Sequence, residues 1–181
     1  MPEQTILTPA AALSSAAALL DQCRAFVGSI APAAYTTPCA IMYDATIGQH
    51  VRHALDHFIA ALAALDGATI DYDHRARDTA IERDPAEAVR AIDGVLTALR
   101  TAPPAAADRP VAVRVMLTAQ GEECELASTL GREIAFAAHH AVHHNAMMST
   151  IALSIGVAVP PGFGKAPSTL DHERRAARTN H

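Results

Sequence analysis

The chain has 181 residues, half of them hydrophobic but only 4 % aromatic, with no Trp. This length sets the expectation of a single domain, residues 1–181, with room for a core, and the alanine-rich apolar set favours helix. A formal charge of −5 excludes the basic face expected of a nucleic-acid binder, and no cluster of Lys and Arg points to anionic lipid.

Met1-Pro2-Glu3-Gln4 lacks a basic n-region, so the alanine-rich run behind it does not read as a signal peptide. Thr8 and Pro9 open a helical pattern that continues to about residue 30, before the Ala31-Pro32 break. A loop with Pro32 and Pro38 follows. Asp44 or Thr46 can cap a second helix over about 46–66, stopped by Gly67. The connection Asp71-Tyr72-Asp73-His74-Arg75-Ala76-Arg77-Asp78 is polar and charged. Asp84-Pro85 starts a third helix over about 85–101, closed by Pro103-Pro104.

Val111, Val113, Val115 and Leu117 alternate with Ala112, Arg114 and Met116, which is strand periodicity. Gln120-Gly121 turns it into a short second strand near 123–128. The fourth helix covers about 130–155 and ends at Gly156. In the segment Pro160-Pro161-Gly162-Phe163-Gly164, a turn packs Phe163 against the helices. From Ser168 to His181 the chain reads as a charged tail, flexible from about residue 171. No stretch reaches the roughly 18–20 uninterrupted apolar residues of a spanning helix. Cys23, Cys39 and Cys124, widely spaced, read as reduced thiols of a cytoplasmic protein. The predicted architecture is all-α: an up-and-down four-helix bundle with a small β-hairpin before the last helix.

Ten histidines stand in the chain, and they concentrate in His50-Val51-Arg52-His53-Ala54-Leu55-Asp56-His57 and in His139-His140-Ala141-Val142-His143-His144. Neutral imidazole is the commonest transition-metal ligand. On a wheel of the fourth helix at about 100° per residue, with His144 at zero, Leu130 and Met148 lie near +40°, Ala137 and Ile155 near +20°, Ile151 near −20° and His140 near −40°. His140 and His144 therefore share the core-facing stripe, one turn apart, where i,i+4 side chains meet. His139 and His143 fall on the flank. Two imidazoles buried without partners would be costly, so the pair points to a metal. On the second helix Ile47, Val51, Ala54, Phe58, Leu62 and Leu65 form the apolar stripe. His50 and His57 border it and His53 lies further round, so the wheel alone favours His50 or His57 over His53.

The segment Thr46-Ile47-Gly48-Gln49-His50-Val51-Arg52-His53-Ala54-Leu55-Asp56-His57-Phe58 resembles the second-helix motif of the DinB-like (DinB/YfiT) metalloprotein superfamily. The segment His140-Ala141-Val142-His143-His144-Asn145-Ala146-Met147-Met148 resembles its last-helix motif. The order of elements is similar over most of the chain. The resemblance implies metal ligands His53, His140 and His144, with His50 and His57 as rivals for the first position. It also implies a helical homodimer. Members of that superfamily include metal-dependent transferases of low-molecular-weight thiols and a thiol-dependent isomerase.

Within Tyr72–Glu82, dense in charge, Asp73 and Glu82 are candidates for an acid/base role or for support of the ligands, either in a lid or in a solvated loop held by local ion pairs. Asp44 and Asp56 are further supporting candidates. Gly162-Phe163-Gly164-Lys165 lacks the glycine spacing of a P-loop. Ser168 and Thr169 have no base beside them, and Cys39 reads as a buried structural thiol.

Three neutral histidines leave a divalent ion with open positions, whereas structural zinc is usually four-coordinate. The expectation is a metal-dependent enzyme with zinc or nickel, acting on a small molecule by thiol S-transfer or hydrolysis, with a low-molecular-weight thiol as a partner. The alternative is a non-catalytic metal-binding stress-response bundle, and a third reading is a helical dimer with structural histidines.

Overall fold

Side-chain caps set the starts of three of the long helices. Thr46 caps α3 (Ile47–Ala63) in a capping box: its hydroxyl accepts from the Gln49 N–H at 3.2 Å, and the Gln49 side chain accepts from the Thr46 N–H at 3.0 Å. Asp84 caps α5 (Pro85–Thr101) by accepting from Ala86 N–H, with Pro85 in the first turn. Thr129 caps α6 (Leu130–Ser154) through Arg132 N–H. The computed structural model describes residues 5–179. Met1–Gln4, read above for the missing basic leader, and the last two residues of the expected tail lie outside the described residues.

The long helices α1 (Ala11–Gly28), α3, α5 and α6 stand where the apolar periodicity places them. Their buried stripes meet in one core: Leu13, Leu20 and Phe26 from α1; Val51, Leu55 and Phe58 from α3; Ile92 and Leu96 from α5; Ile134, Met148 and Ile151 from α6. α3 packs mainly on α6, and α1 on both α5 and α6.

The expected all-α, up-and-down four-helix bundle is not what the chain forms. Among the described residues there are seven α-helices and a three-stranded mixed sheet. Three helices are additional: α2 (Pro32–Tyr35), α4 (Ala80–Arg83) and α7 (Pro167–Thr179). The hairpin of β2 (Pro110–Met116) and β3 (Glu123–Thr129) is present, with Val113 opposite Leu126. A third strand, β1 (Ile70–Asp71), joins it in parallel, pairing Ile70 with Val113. A parallel partner needs a crossover connection, here supplied by α4 and α5. The result couples the segment after α3 to the sheet, which is what draws residues 72–78 over the α3–α6 face.

Two contacts pin this segment. Gly48 lies so close to α4 that a Cβ there would sit 2.1 Å from the Glu82 carbonyl oxygen; only glycine permits that approach. The Tyr35 hydroxyl donates to the Ile81 carbonyl at 2.8 Å. At the other end of the chain, Phe163 is buried and meets Phe26 at 4.4 Å between ring centroids, as the turn chemistry implied. Gly164, at φ +77°, lies against Ala146 of α6. Beyond it, α7 occupies the stretch read as a charged tail and buries none of its residues. Among the described residues no helix is long and apolar enough to cross a membrane.

Candidate metal centre

α3 and α6 face each other along their length, and the facing stripes carry both histidine groups. His140 stands at the centre. Its Nε2 is 3.1 Å from His53 Nε2 and 3.0 Å from His144 Nε2. The ring planes cross steeply, at 73° for His53 with His140, 61° for His140 with His144 and 83° for His53 with His144. His57, His53 and His140 form a group whose ligand atoms all lie within 4.8 Å of one another, a spacing that allows a divalent metal. His53 and His140 belong to both arrangements; His57 and His144 compete for the third place. His50 reaches the same cluster through a 2.9 Å contact between its Nδ1 and His144 Nδ1. All three second-helix candidates thus converge, whereas His139 and His143 are exposed, on the flank where the wheel put them.

A neutral imidazole nitrogen carries either one N–H or one lone pair. His140 Nε2 therefore cannot form a normal linear hydrogen bond to each of its two close neighbours. A shared cation would satisfy three converging lone pairs at once. With metal–nitrogen bonds of about 2.0–2.1 Å, tetrahedral ligands stand about 3.3 Å apart, close to the spacings found. Protonation of the rings is disfavoured. Burial, then Arg75 and the neighbouring rings, lowers His53 to about 3; burial and then His57 lower His140 to about 4; burial and then His140 lower His144 to about 2. These rings stay neutral and able to ligate near neutrality.

One of the remaining ring nitrogens is held by the backbone in the way that orients a metal ligand. His57 Nδ1 donates to the His53 carbonyl at 3.0 Å, which leaves its Nε2 with a lone pair. The His57 ring lies 3.9 Å from that of His140, tilted by only 30°, and stacks on Tyr72 at 4.9 Å. The Tyr72 hydroxyl donates to Glu133 at 2.8 Å, and Glu133 also accepts from Ser128 and Arg132. Burial would raise the Glu133 carboxyl, but these three donors outweigh it and hold the group below its ordinary range. Sequence reasoning missed Glu133. The signal was there: the same wheel puts it near −20°, about on the apolar stripe.

The two acidic candidates are engaged elsewhere. Glu82 is buried, accepts from Arg52 Nε and Asp78 N–H at 2.9 Å each, and so ties α4 to α3. Asp73 is exposed and accepts from Met116 N–H at 2.7 Å, tying the loop to β2. Neither carboxylate bonds to a clustered histidine. Asp56 instead stands between Arg52, at 2.8 Å, and Arg75, at 3.5 Å, and burial raises its carboxyl in spite of Arg52. Asp44 is exposed, in the loop before α3. An apolar groove of about 570 Å³ between α1 and α6, lined by Leu7, Leu19, Ala135 and Val142, lies apart from this chemistry and takes only the flank residue His139 from the two groups.

Over 125 residues, 66 % of this chain, the sequence is 29 % identical to FK506-binding protein 5 of Rhizopus delemar. The matched stretch spans 32 % of that protein's length. No family model matches the chain, and no solved structure matches it.

Proposed function

We propose that the α3–α6 histidine cluster binds one divalent ion, zinc or nickel, and that the protein is a metal-dependent enzyme acting on a small molecule. The observation that carries this reading is His140 Nε2 lying 3.1 and 3.0 Å from two other imidazole nitrogens. His53, His140 and His144 are the ligands we favour. Their steeply crossed rings suit convergence of in-plane lone pairs better than the His57 and His140 rings, which are tilted by only 30°. The similarity of both histidine segments to the DinB-like motifs supports the same three. His50 and His57 then act as supports: His50 accepts from His144 Nδ1–H, and His57 fills the wall between His53 and Tyr72.

Bound there, the ion would supply Lewis acidity toward a thiol or a water. Three neutral ligands leave it positions for either. We place thiol S-transfer ahead of hydrolysis on the motif resemblance alone. The chain's own residues hold the rings neutral, orient His144 through His50 and wall the site with Tyr72 and Phe136. The reading includes a cytoplasmic homodimer with a low-molecular-weight thiol as partner; Cys23, Cys39 and Cys124 are all free thiols. A non-catalytic metal-binding stress-response protein is the alternative, and the same cluster supports it.

Metal analysis of protein purified without a histidine tag tests the reading. We expect about one zinc or nickel per chain, lost on His140→Ala, retained at pH 6 and released only toward pH 4 and below, because burial holds His140 at about 4 and His53 and His144 lower still. No stoichiometric metal in the unaltered protein would overturn it. If metal is bound, assays with several thiols and electrophiles separate enzyme from binder.

A further inference from the structure

The sheet ends at β3, and the outer edge of β3 is open. Among the described residues β3 pairs with β2 only, and none of its seven residues is buried. Its register runs unbroken from Glu123 opposite Met116 to Thr129 opposite Pro110, so no bulge turns the edge away. The flanking bonds set the phase of the ladder. Leu117 N–H donates to the Glu122 carbonyl at 2.8 Å, and Leu130 N–H donates to the Arg109 carbonyl at 3.0 Å. Hydrogen-bonded pairs alternate along an antiparallel ladder. Cys124, Leu126 and Ser128 therefore bond to β2. Glu123, Glu125, Ala127 and Thr129 turn their N–H groups outward, where no backbone carbonyl of the described residues meets them.

An open edge is a template for another strand, and Lys, Pro or a bulge commonly blunts it. Glu123–Thr129 holds neither Lys nor Pro. Its inner face, shared with the buried Val113, carries Ser128, bonded to Glu133 of α6, and Leu126, left 50 % exposed at the rim of the core. Its outer face carries Glu123 and Glu125. The pattern fits a copy of itself. With two β3 strands antiparallel about Leu126, Glu125 stands opposite Ala127 and Glu123 opposite Thr129, so outward N–H groups meet outward carbonyls. The two Leu126 side chains then meet on the axis and cover each other. The whole strand is paired and no carboxylate opposes another. An axis at Glu125 sets that carboxylate against its own copy, which is destabilising. An axis at Ala127 leaves Glu123 beyond the end of the partner strand. The two carboxylates thus select one register.

We propose that the β3 edge is the interaction surface for a second copy of this chain, the two strands joining antiparallel about Leu126 into one continuous sheet. The proposal rests on the homodimer reading above and puts the contact on the sheet edge, in place of the helices that the motif resemblance implies. The same patch serves on both copies, so the contact closes at two.

Sedimentation equilibrium of the full chain tests it, at concentrations up to about 0.1 mM, where a small interface is populated. We expect a monomer–dimer equilibrium. Ala127→Pro removes an outward N–H that the chain itself does not use, and an edge strand tolerates proline there. The dimer dissociation constant should rise about ten-fold or more, with the circular dichroism spectrum unchanged. A monomer at every concentration overturns the homodimer reading and this proposal with it. A dimer as tight in Ala127→Pro as in the unaltered protein leaves the homodimer reading standing and overturns the β3 surface. Should Ala127→Pro fail to fold, Leu126→Cys in a Cys124→Ser background takes its place, since Cys23 and Cys39 are buried. Across the axis the two α-carbons stand about 4.5 Å apart, within reach of a disulfide, and mild oxidation should cross-link two copies. A dimeric protein that does not cross-link there overturns the proposal.

Discussion

The α1–α5 pair and the α3–α6 pair start from similar alanine-rich helices and bury different chemistry. Where α1 meets α5, the buried side chains are apolar: Leu20, Phe26 and Val27 on one helix, Ile92, Val95 and Leu96 on the other. Their ion pairs, Arg24–Asp93 and Arg100–Asp21, lie about half exposed at the surface. On α3 and α6, Arg52, His57, Glu133, His144 and Asn145 are buried among the apolar residues. Burying such groups is unfavourable unless each is matched. α1–α5 therefore contributes stability through apolar burial, whereas α3–α6 buries polar groups that depend on their partners.

Substitutions in the two halves should give opposite readouts. His140→Ala removes the imidazole that both possible triads share. Metal affinity should fall by more than the ~10–100-fold typical of a supporting partner, while the metal-free protein unfolds at an unchanged or higher denaturant concentration. Equilibrium dialysis and urea titration measure the two. Leu20→Ala, on a side chain 1 % exposed, should cost about 2–5 kcal/mol of stability and leave metal per chain as it was. A Leu20→Ala protein that is well folded yet empty of metal would show that the halves are not separable.

Glu133→Gln probes the wall of the histidine half, where α6 meets Tyr72 and β3. The amide oxygen can still accept, but the charge is gone, and the amide N–H₂ forces the Tyr72 or Ser128 hydroxyl to turn from donating to accepting. We expect a loss of about 1–3 kcal/mol, together with a several-fold weaker metal affinity as Tyr72 loosens against His57. Loss of stability with metal affinity unchanged would assign Glu133 to the packing alone.

Much of this division was legible in the sequence because it is local. Thr46 with Gln49, Asp84 with Pro85 and Thr129 state helix starts by hydrogen bonding within one turn. The wheel separated His140 and His144 from the exposed His139 and His143 because burial on one helix follows its own period. β1 was not legible: two residues show no periodicity, and Ile70 finds its partner Val113 only after α4 and α5 intervene. α2 and α4 are four residues each, too short for an apolar stripe. α7 is charged enough to read as tail. The choice among His50, His53 and His57 could not come from the α3 wheel either, since α6 faces all three. Arg75 reaches the cluster because β1 and α4 fold its segment back, a tertiary cause with no local signature.

Acid should weaken the histidine half in the metal-free protein, in a graded way. The folded-state values of His140, His53 and His144 lie at about 4, 3 and 2, below the ordinary 6.5. Below pH 6.5 the unfolded chain takes up protons that the folded rings refuse, so stability falls as pH falls. The stability that these groups contribute is fully present above 6.5 and is progressively lost toward the folded values. Urea midpoints at pH 8, 6 and 5 should decline in that order, and His140→Ala should flatten the decline. A midpoint independent of pH between 7 and 5 would mean that the rings protonate freely in the folded protein.

The smallest effect belongs to the surface of the α1–α5 half. Asp93→Asn removes the partner of Arg24, whose side chain is 46 % exposed, as is that of Asp93. Arg24 holds the Asp93 carboxyl below its ordinary range, with burial opposing weakly. Water and salt screen such a pair, and ordering two long side chains offsets much of the attraction. The urea midpoint at neutral pH should stay within experimental scatter, and metal content should not change. The pair works only as a negative control if that holds. A clear loss of stability would mean that α1–α5 relies on its surface charges, and that its apolar stripe is a weaker clamp than Leu20 and Ile92 imply. The contrast with α3–α6 would then lie in where each half puts its polar groups, and no longer in which half carries the stability.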